Sequence, residues 1–274
     1  MTSTRVHAMT STRDHADLPK DEIARTLIEA ARQRTGVAPL TDTYPDLDFV
    51  TAYEVQDAVV SARVTAGATV VGAKLGLTSR AKQLQMSVDR PLYGFLTDDM
   101  QIDTGDHLVC GDFIQPRCEP EIAFLLATDL QGPQVTAAHV LAATALVFPA
   151  IDVLDSRFSG YKFTFMDVIA DNSSCAAFTL GGQGTSPAGI DLRLTGCVFE
   201  KNGQLLSTAS GAAVLGHPAA SVAWMVRQLA ARGRGLSAGQ VVMAGALTEA
   251  IAVSPGDTVV ARFDRLGTVE LACR

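Results

Sequence analysis

From residue 70 onward the chain consists of short runs of residues that favour β-strands, and this pattern limits the possible folds more than any other feature. Gly, Pro, Asp and Asn lie between the runs and favour turns. We predict strands over the following segments: Val70–Leu75, Glu121–Leu126, Leu146–Val153, Cys175–Leu180, Thr195–Glu200, Gln240–Ala244, Thr258–Phe263 and Thr268–Cys273. Many short strands with few helices predict an α+β protein built on a mixed β-sandwich or β-roll, not a doubly wound sheet.

Helical periodicity is concentrated near the N-terminus. Apolar residues recur at helical spacing over Lys20–Gln33 and Asp48–Ala66, and Asp48 is a suitable N-cap. Two further helices are predicted near Thr136–Thr144 and Pro218–Arg232. We therefore divide the chain into a leader (residues 1–18), an N-terminal helical region (residues 19–70) and a β-rich domain (residues 71–274).

The leader contains a short repeat. Residues Met1–Ala8 recur almost unchanged as Met9–Ala16, and the repeat is too short and too polar to bury a core. We expect it to be disordered, with Met9 as an alternative start.

Composition excludes several classes of protein. The 274 residues carry a formal net charge of −7 with no basic run, which argues against binding to nucleic acid. The sequence contains no stretch of 18 or more apolar residues, the length needed to span a membrane. The polar N-terminus lacks the apolar core of a secretory signal. Five cysteines without a C-x-x-C pair favour reduced thiols over a zinc site. We expect a cytoplasmic protein.

Two glutamates, Glu119 and Glu121, mark the most informative segment. Residues two apart on a strand point to the same face, so these carboxylates repel each other unless a cation lies between them. A divalent cation is the usual solution, and an all-oxygen site favours Mg²⁺ or Mn²⁺ over zinc. A solvated face of an edge strand is the alternative for a bare E-x-E pair.

Two further charged residues lie in runs that are otherwise apolar. Asp152 lies within Val147–Leu154, and Lys74 lies within Gly72–Ser79. A buried carboxylate is costly unless it is paired or bound to a metal, and Lys74 should face a carboxylate or an anionic substrate. The neighbouring segment Asp155–Arg157 is equally consistent with a local salt bridge or cap and with a functional role.

Two other features have simple structural interpretations. Gly235–Gly239 matches the G-x-S-x-G pattern of α/β-hydrolases, but a helix precedes it and a strand follows, the reverse of what that nucleophile requires. Ser237 is therefore expected in a turn. His217 directly precedes a predicted helix and is expected to cap it.

Six segments in the same order resemble the hydratase/decarboxylase branch of the fumarylacetoacetate hydrolase superfamily. The resemblance covers the chain from about Thr43 to the C-terminus. The segments are K-x-G-L-T-S at Lys74–Ser79, P-x-x-E-x-E-I-A at Pro116–Ala123, P-A-I-[ED]-x-x-D-S-R at Pro149–Arg157, A-D-N-[AS]-S at Ala170–Ser174, K-N-G at Lys201–Gly203 and G-A-A-x-L-G-x-P at Gly211–Pro218.

The resemblance implies the C-terminal fold of that superfamily, preceded here by a helical region, and a metal site for Mg²⁺ or Mn²⁺. The implied metal ligands are Glu119, Glu121 and Asp152, where Asp152 replaces a glutamate common in the branch. Lys74 and Lys162 are the candidate catalytic cations. The implied substrate-binding residues are Ser79, Leu92, Asn172, Gly245 and Thr248. Arg80 is a further candidate for binding the distal carboxylate of a substrate, with a solvated surface role as the alternative.

The branch acts on small 2-oxo acids from the meta-cleavage of aromatic compounds, by hydration or by decarboxylation. The hydratases resemble one another in carrying Asp in a P-D-[FY]-G segment, where this chain has Leu92. A carboxylate there would repel a dianionic substrate, so we favour decarboxylation of 2-oxohex-3-enedioate, with 2-hydroxypenta-2,4-dienoate hydratase as the alternative. A C–C hydrolase and a non-catalytic scaffold are further alternatives. The resemblance also implies a homo-oligomer and a possible complex with a vinylpyruvate hydratase.

Overall fold

The computed structural model describes residues 18–85 and 87–274. The predicted leader, with its repeat and the alternative start at Met9, lies outside the described residues apart from Leu18. The helices are α1 (Lys20–Gln33), α2 (Leu40–Thr43), α3 (Phe49–Thr65), α4 (Arg80–Gln85), α5 (Ala137–Ala143), α6 (Phe165–Ala170) and α7 (Pro218–Ala230). All four predicted helices are present, at α1, α3, α5 and α7.

The strands form two main sheets and one short antiparallel pair between β5 and β10. They are β1 (Val70–Gly76), β2 (Leu92–Thr97), β3 (His107–Leu108), β4 (Arg117–Leu126), β5 (Leu130–Gln131), β6 (Thr144–Leu154), β7 (Cys175–Leu180), β8 (Gly196–Lys201), β9 (Gln204–Ser210), β10 (Gly235–Leu236), β11 (Val241–Ala246), β12 (Ile251–Ala252), β13 (Thr258–Phe263) and β14 (Gly267–Cys273). Every predicted strand is present.

The larger sheet has the order β2-β1-β11-β4-β6-β7, with β12 also paired to β4. The second sheet has the order β3-β14-β13-β8-β9, and its strands β13 and β14 contact β6 of the larger sheet. Most pairs are antiparallel, whereas β1–β11 and β3–β14 are parallel. Two contacting mixed sheets with helices confirm the predicted α+β architecture.

The N-terminal helices pack against the outer part of the larger sheet. Asp48 caps α3 by accepting a hydrogen bond from the Thr51 backbone N–H at 2.8 Å, as its position predicts. The ring of Tyr53 on α3 stacks on that of Tyr93 on β2, with 4.5 Å between their centroids. Inside this core, the Gln56 side-chain amide donates hydrogen bonds to the backbone carbonyls of Tyr93 and Ile169. These contacts fix β2, which borders the cavity described below.

The structure differs from the sequence-based expectations at several elements. Strands β2 and β9 and helices α4 and α6 were not predicted, and β4 begins at Arg117, ahead of the predicted start at Glu121. The earlier start matters because it places Glu119 inside the strand. His217 caps α7, since its Nδ1 accepts a hydrogen bond from the Ala219 backbone N–H at 3.0 Å. Across residues 18–85 and 87–274, none of the helices has the length and apolar character needed to cross a membrane.

Candidate metal centre and cavity

Three buried carboxylates from two adjacent strands meet near the middle of the larger sheet. Glu119 and Glu121 lie on β4, and Asp152 on β6 is the direct cross-strand partner of Glu119. One oxygen from each carboxylate lies within 4.8 Å of the others. Like charges directly opposite each other on a sheet are destabilising, so this arrangement requires a positive charge between them. We call these three residues the acidic cluster.

The acidic cluster contains oxygen atoms that the protein leaves unsatisfied. Glu121 Oε2 accepts a hydrogen bond from the Gly245 backbone N–H at 2.7 Å. Among the described residues, no donor pairs with Glu121 Oε1 or with Asp152 Oδ1, although both residues are fully buried. Leaving a buried acceptor without a partner costs free energy, and the cost is larger for a charged group. Two such atoms in one cluster indicate a place for a cation.

Two lysines supply part of the compensating charge. The Nζ atom of Lys74 lies 3.0 Å from Asp152 Oδ2, and Lys74 is almost completely buried. The Nζ atom of Lys82, on α4, lies 3.1 Å from Glu119 Oε2 and remains partly exposed. Lys74 thus faces a carboxylate, as its apolar surroundings predict. Two ammonium groups face three carboxylates, so the lysines alone do not neutralise the cluster.

The electrostatic environment favours the addition of a cation. Burial raises the pKa of Glu121 well above its usual range, and the nearby carboxylates of Asp152 and Glu119 raise it further. Burial also raises the pKa of Asp152, although the Lys74 ammonium opposes that rise. A bound divalent cation inverts this balance, because it stabilises the ionised carboxylates directly. The cluster is therefore costly without a metal ion and well suited to one.

The chemistry of the donors identifies the class of metal. All three candidate ligands offer carboxylate oxygens, which suit hard cations such as Mg²⁺ and Mn²⁺. Cys118 is adjacent in sequence but lies on the opposite side of β4, because side chains alternate along a strand. Burial raises the pKa of its thiol well above the usual range, which disfavours the thiolate that a soft metal would need. The residues present fit Mg²⁺ or Mn²⁺.

A cavity of about 320 Å³ opens beside the acidic cluster. Its cationic side chains are Lys74, Lys82 and Arg117, and its acidic side chains are Glu119 and Glu249. The remaining lining residues are Gly76, Leu77, Leu92, Leu154, Tyr161, Phe163, Val168, Ser173, Ser174 and Ala250. A concave site that combines apolar walls with a few charged groups is typical of a small-molecule binding site.

The structure brings some of the predicted substrate-binding residues to this cavity. Leu92 is buried and lines it. Gly245 lies at the acidic cluster through its hydrogen bond to Glu121. Its φ angle is +111°, and a Cβ atom there would lie 2.2 Å from Thr78 Oγ1, so a glycine is required for this backbone to approach the carboxylate.

The other predicted substrate-binding residues do not line the cavity. Ser79 Oγ accepts a hydrogen bond from the Lys82 backbone N–H and so supports α4. The Asn172 side chain donates a hydrogen bond to the backbone carbonyl of Phe95 and accepts one from its backbone N–H. These two bonds engage the polar groups of Asn172 within the core. Thr248 donates to the neighbouring backbone carbonyl of residue 249.

The two remaining cationic candidates are solvent-exposed. Lys162 is exposed, and the residues on either side of it, Tyr161 and Phe163, line the cavity in its place. Arg80 is also exposed, at the start of α4. The structure therefore does not bring Lys162 or Arg80 together with the acidic cluster.

Sequence reasoning missed four polar residues of the cavity: Lys82, Arg117, Tyr161 and Glu249. Of these four, only Arg117 could have been predicted from the sequence, since it lies two residues before Glu119 and therefore on the same face of the strand. Its guanidinium carbon lies 3.8 Å from the centroid of the Tyr161 ring. Lys82 belongs to a helix that was not predicted, Tyr161 ends a short 3-10 helix (Ser159–Tyr161), and Glu249 lies in a loop; neither of the last two has a recognisable sequence pattern.

The segment Asp155–Arg157, whose role the sequence left open, has a structural explanation. Asp155 accepts hydrogen bonds from the backbone N–H groups of Ile114 and Gln115. Arg157 forms a buried ion pair with Asp171. The segment Asp155–Arg157 therefore provides the cap and the salt bridge of the structural interpretation. Ser237 lies in the predicted turn between β10 and β11, and all five cysteines are free.

Comparisons with known proteins agree with this geometry. The family model described as "Fumarylacetoacetate (FAA) hydrolase C-terminal" matches residues 66–273. A 4-oxalocrotonate decarboxylase of Pseudomonas sp. (strain CF600) is 43% identical over 233 residues, which cover 85% of this chain and 88% of the relative. A 2-hydroxypent-2,4-dienoate hydratase of Pseudomonas putida is 45% identical over 210 residues, covering 76% of this chain and 95% of the relative.

Among solved structures, a similar one is the 4-oxalocrotonate decarboxylase from Pseudomonas putida G7, complexed with magnesium and adipate. The two chains superpose with a TM-score of 0.90 at 38% sequence identity, and the match covers 93% of this chain and 97% of the other. Over 93% of its length, this chain thus shares its fold with a protein of known structure.

Proposed function

Because this chain belongs to the fumarylacetoacetate hydrolase C-terminal family, we propose that it catalyses the metal-dependent decarboxylation of 2-oxohex-3-enedioate (4-oxalocrotonate) to 2-hydroxypenta-2,4-dienoate and CO₂. The observation that carries this proposal is a buried acidic cluster with two unsatisfied oxygens, placed beside a cavity with apolar walls and cationic side chains. Such a site suits a substrate that chelates a metal at one end and carries a second carboxylate at the other.

The chain's residues can be assigned to parts of this reaction. Glu119, Glu121 and Asp152 would hold Mg²⁺ or Mn²⁺, which when bound supplies a Lewis acid for the 2-oxo carboxylate end of the substrate. When the C5–C6 bond breaks, CO₂ leaves and its electron pair moves through the C3=C4 double bond to the oxygen on C2. That oxygen then takes up a proton to give the dienol product. Lys74 lines the cavity and donates a hydrogen bond to this oxygen as negative charge develops there.

Leu92 favours decarboxylation over hydration. It lines the cavity as an apolar, buried side chain, whereas a hydratase needs a group that activates water and moves a proton. An apolar wall cannot do this, and it also avoids repelling a dianionic substrate. The hydratase of 2-hydroxypenta-2,4-dienoate is the second candidate function, because a relative named for that type of activity is 45% identical.

An assay of the purified chain with Mg²⁺ on both substrates tests the proposal. We expect loss of the dienedioate chromophore together with stoichiometric release of CO₂, and no reaction after treatment with a chelator. Hydration of 2-hydroxypenta-2,4-dienoate without CO₂ release from the dienedioate would contradict the proposal and support the second candidate.

The cellular setting is proposed from the same family membership. We propose that the chain acts in the cytoplasm, in the meta-cleavage degradation of aromatic compounds, as a homo-oligomer. A complex with a vinylpyruvate hydratase would pass the dienol product directly to the next enzyme. Size-exclusion chromatography of the chain, alone and with such a hydratase, tests both forms of association.

A further inference from the structure

Arg117 stands out among the charged residues of the cavity because its positive charge is uncompensated. Lys74 pairs with Asp152 and Lys82 pairs with Glu119. Within residues 18–85 and 87–274, the only interaction of the Arg117 guanidinium is with the Tyr161 ring. A half-buried guanidinium without a carboxylate partner is costly unless an anion joins it, since its N–H donors lose water and gain no acceptor.

The position of Arg117 relative to the acidic cluster matches a particular anion. Arg117, Glu119 and Glu121 alternate along β4 and therefore share one strand face. The Cα atoms of residues two apart on a strand are separated by roughly 6.6 Å. The terminal carbons of an extended six-carbon chain are separated by roughly 6 Å, given C–C bonds near 1.5 Å. The length of a six-carbon diacid is therefore close to the backbone spacing between Arg117 and Glu119, which line the same cavity.

The surroundings of Arg117 hold it in position. The Tyr161 ring stacks against the guanidinium, and the Tyr161 hydroxyl lies within hydrogen-bond distance of the backbone carbonyls of Gln115 and Leu154. Gln115 adjoins β4, and Leu154 is the cross-strand partner of Arg117 on β6. The ring is thus anchored to the same two strands that carry the acidic cluster. A stacked guanidinium keeps its N–H fork available for bidentate binding of a carboxylate.

We propose that Arg117 binds the substrate carboxylate distal to the metal and selects diacids over monoacids. The proposal rests on the proposed function, because it assumes that the 2-oxo acid end lies at the acidic cluster. It assigns to Arg117 the role that the sequence suggested for Arg80, which is exposed and does not line the cavity. The C6 carboxylate leaves as CO₂, so Arg117 orients the bond that breaks.

The test compares two ligands that share a 2-oxo acid end and differ in the distal carboxylate, namely 2-oxoadipate and 2-oxohexanoate. Calorimetry with Mg²⁺ measures both dissociation constants without turnover. We expect the unmodified chain to bind the diacid roughly 10- to 100-fold more tightly, the range expected for charge-assisted hydrogen bonds. Arg117→Gln should weaken only the diacid and remove most of this preference. Arg117→Lys should retain part of it, because lysine keeps the charge and loses the fork.

Two further variants provide controls. Arg25→Gln changes an exposed arginine on α1 and should leave both dissociation constants unchanged. Arg80→Gln tests the competing residue. The inference is overturned if the unmodified chain shows no preference, if Arg117→Gln keeps the preference, if Arg117→Gln weakens both ligands equally, or if Arg80→Gln rather than Arg117→Gln abolishes it. Release of CO₂ from the dienedioate by the unmodified chain is measured separately, so failure of the proposed function is recognised independently.

Discussion

Two groups of buried charges lie at neighbouring parts of the molecule, and their difference distinguishes a functional site from a structural one. The acidic cluster contains two oxygens, Glu121 Oε1 and Asp152 Oδ1, that no donor satisfies in the described residues. The second group, which we call the Arg157 group, consists of Asp155, Arg157 and Asp171. None of its side-chain polar atoms is unsatisfied in the part of the chain that the structure describes.

The Arg157 group shows how a protein stabilises buried charge with its own atoms. Arg157 pairs with Asp171 and donates to the backbone carbonyls of Asp155 and Cys175. Asp171 also accepts a hydrogen bond from Ser174 Oγ at 3.1 Å. Such a network ties the loop after β6 to the segment after α6 and needs no ligand. The acidic cluster, by contrast, is completed only by a cation from outside.

Within the acidic cluster, Glu121→Gln should reduce activity more than any other change considered. The variant keeps the shape of the side chain and removes one metal ligand, so kcat/KM for the dienedioate should fall by at least about 10³-fold, the equivalent of several kcal/mol of Lewis-acid stabilisation. Without metal, the free energy of unfolding should be unchanged or higher, because one repelling charge is gone. Activity equal to that of the unmodified chain would show that Glu121 is not a ligand.

The opposite outcome is expected for Asp171→Ala. Removing one partner of a buried ion pair leaves Arg157 uncompensated, which should lower the free energy of unfolding by about 3–5 kcal/mol in urea denaturation. Metal affinity in the folded protein should be retained. Loss of metal binding without loss of stability would instead show that the Arg157 group is part of the metal site. The double variant Arg157→Met/Asp171→Leu should recover part of the lost stability.

The next largest effect is the change in the free energy of unfolding when the metal is removed. At a Mg²⁺ concentration of 100 times its dissociation constant, binding should stabilise the unmodified chain by about 2.7 kcal/mol. Thermal unfolding with and without a chelator measures this difference, and Asp171→Ala should show the same increment. The Glu121→Gln variant should show little or none. An equal increment in Glu121→Gln would place the metal elsewhere.

The smallest effect is expected for Lys162→Ala. Lys162 is exposed and does not line the cavity, so kcat/KM should change by less than about twofold, as is typical of surface substitutions. Lys74→Met is the matched comparison, because it removes the buried ammonium beside Asp152 and should reduce activity strongly. A large loss in Lys162→Ala would show that the loop carrying it moves into the cavity during the reaction.

Local patterns in the sequence singled out the residues of the acidic cluster, and the family resemblance implied that they form one metal site. Glu119 and Glu121 share a strand parity, and Asp152 and Lys74 interrupt apolar runs, so the cost of burial alone pointed to a charged site. The order of the strands in the sheet was not predictable in this way, because it depends on pairing between distant segments. Only the register between β4 and β6 places Asp152 opposite Glu119.

Two missed strands show where local patterns are weak. Strand β2 contains Gly94 within a short run, and glycine disfavours strands. The glycine is required because a Cβ there would lie 2.5 Å from the Asn172 backbone oxygen. Strand β9 exposes Leu205 and Leu206 in succession, so it shows no alternation between apolar and polar residues. Both strands are formed by their neighbours rather than by their own periodicity.

The most direct test of the central claim is a crystal structure of the full chain soaked with Mn²⁺, with anomalous scattering used to locate the metal. We expect one strong anomalous peak bounded by Glu119, Glu121 and Asp152, with Glu121 Oε1 and Asp152 Oδ1 among the coordinating atoms. A map in which these oxygens contact only protein donors, or in which Mn²⁺ lies at a different site, would contradict it.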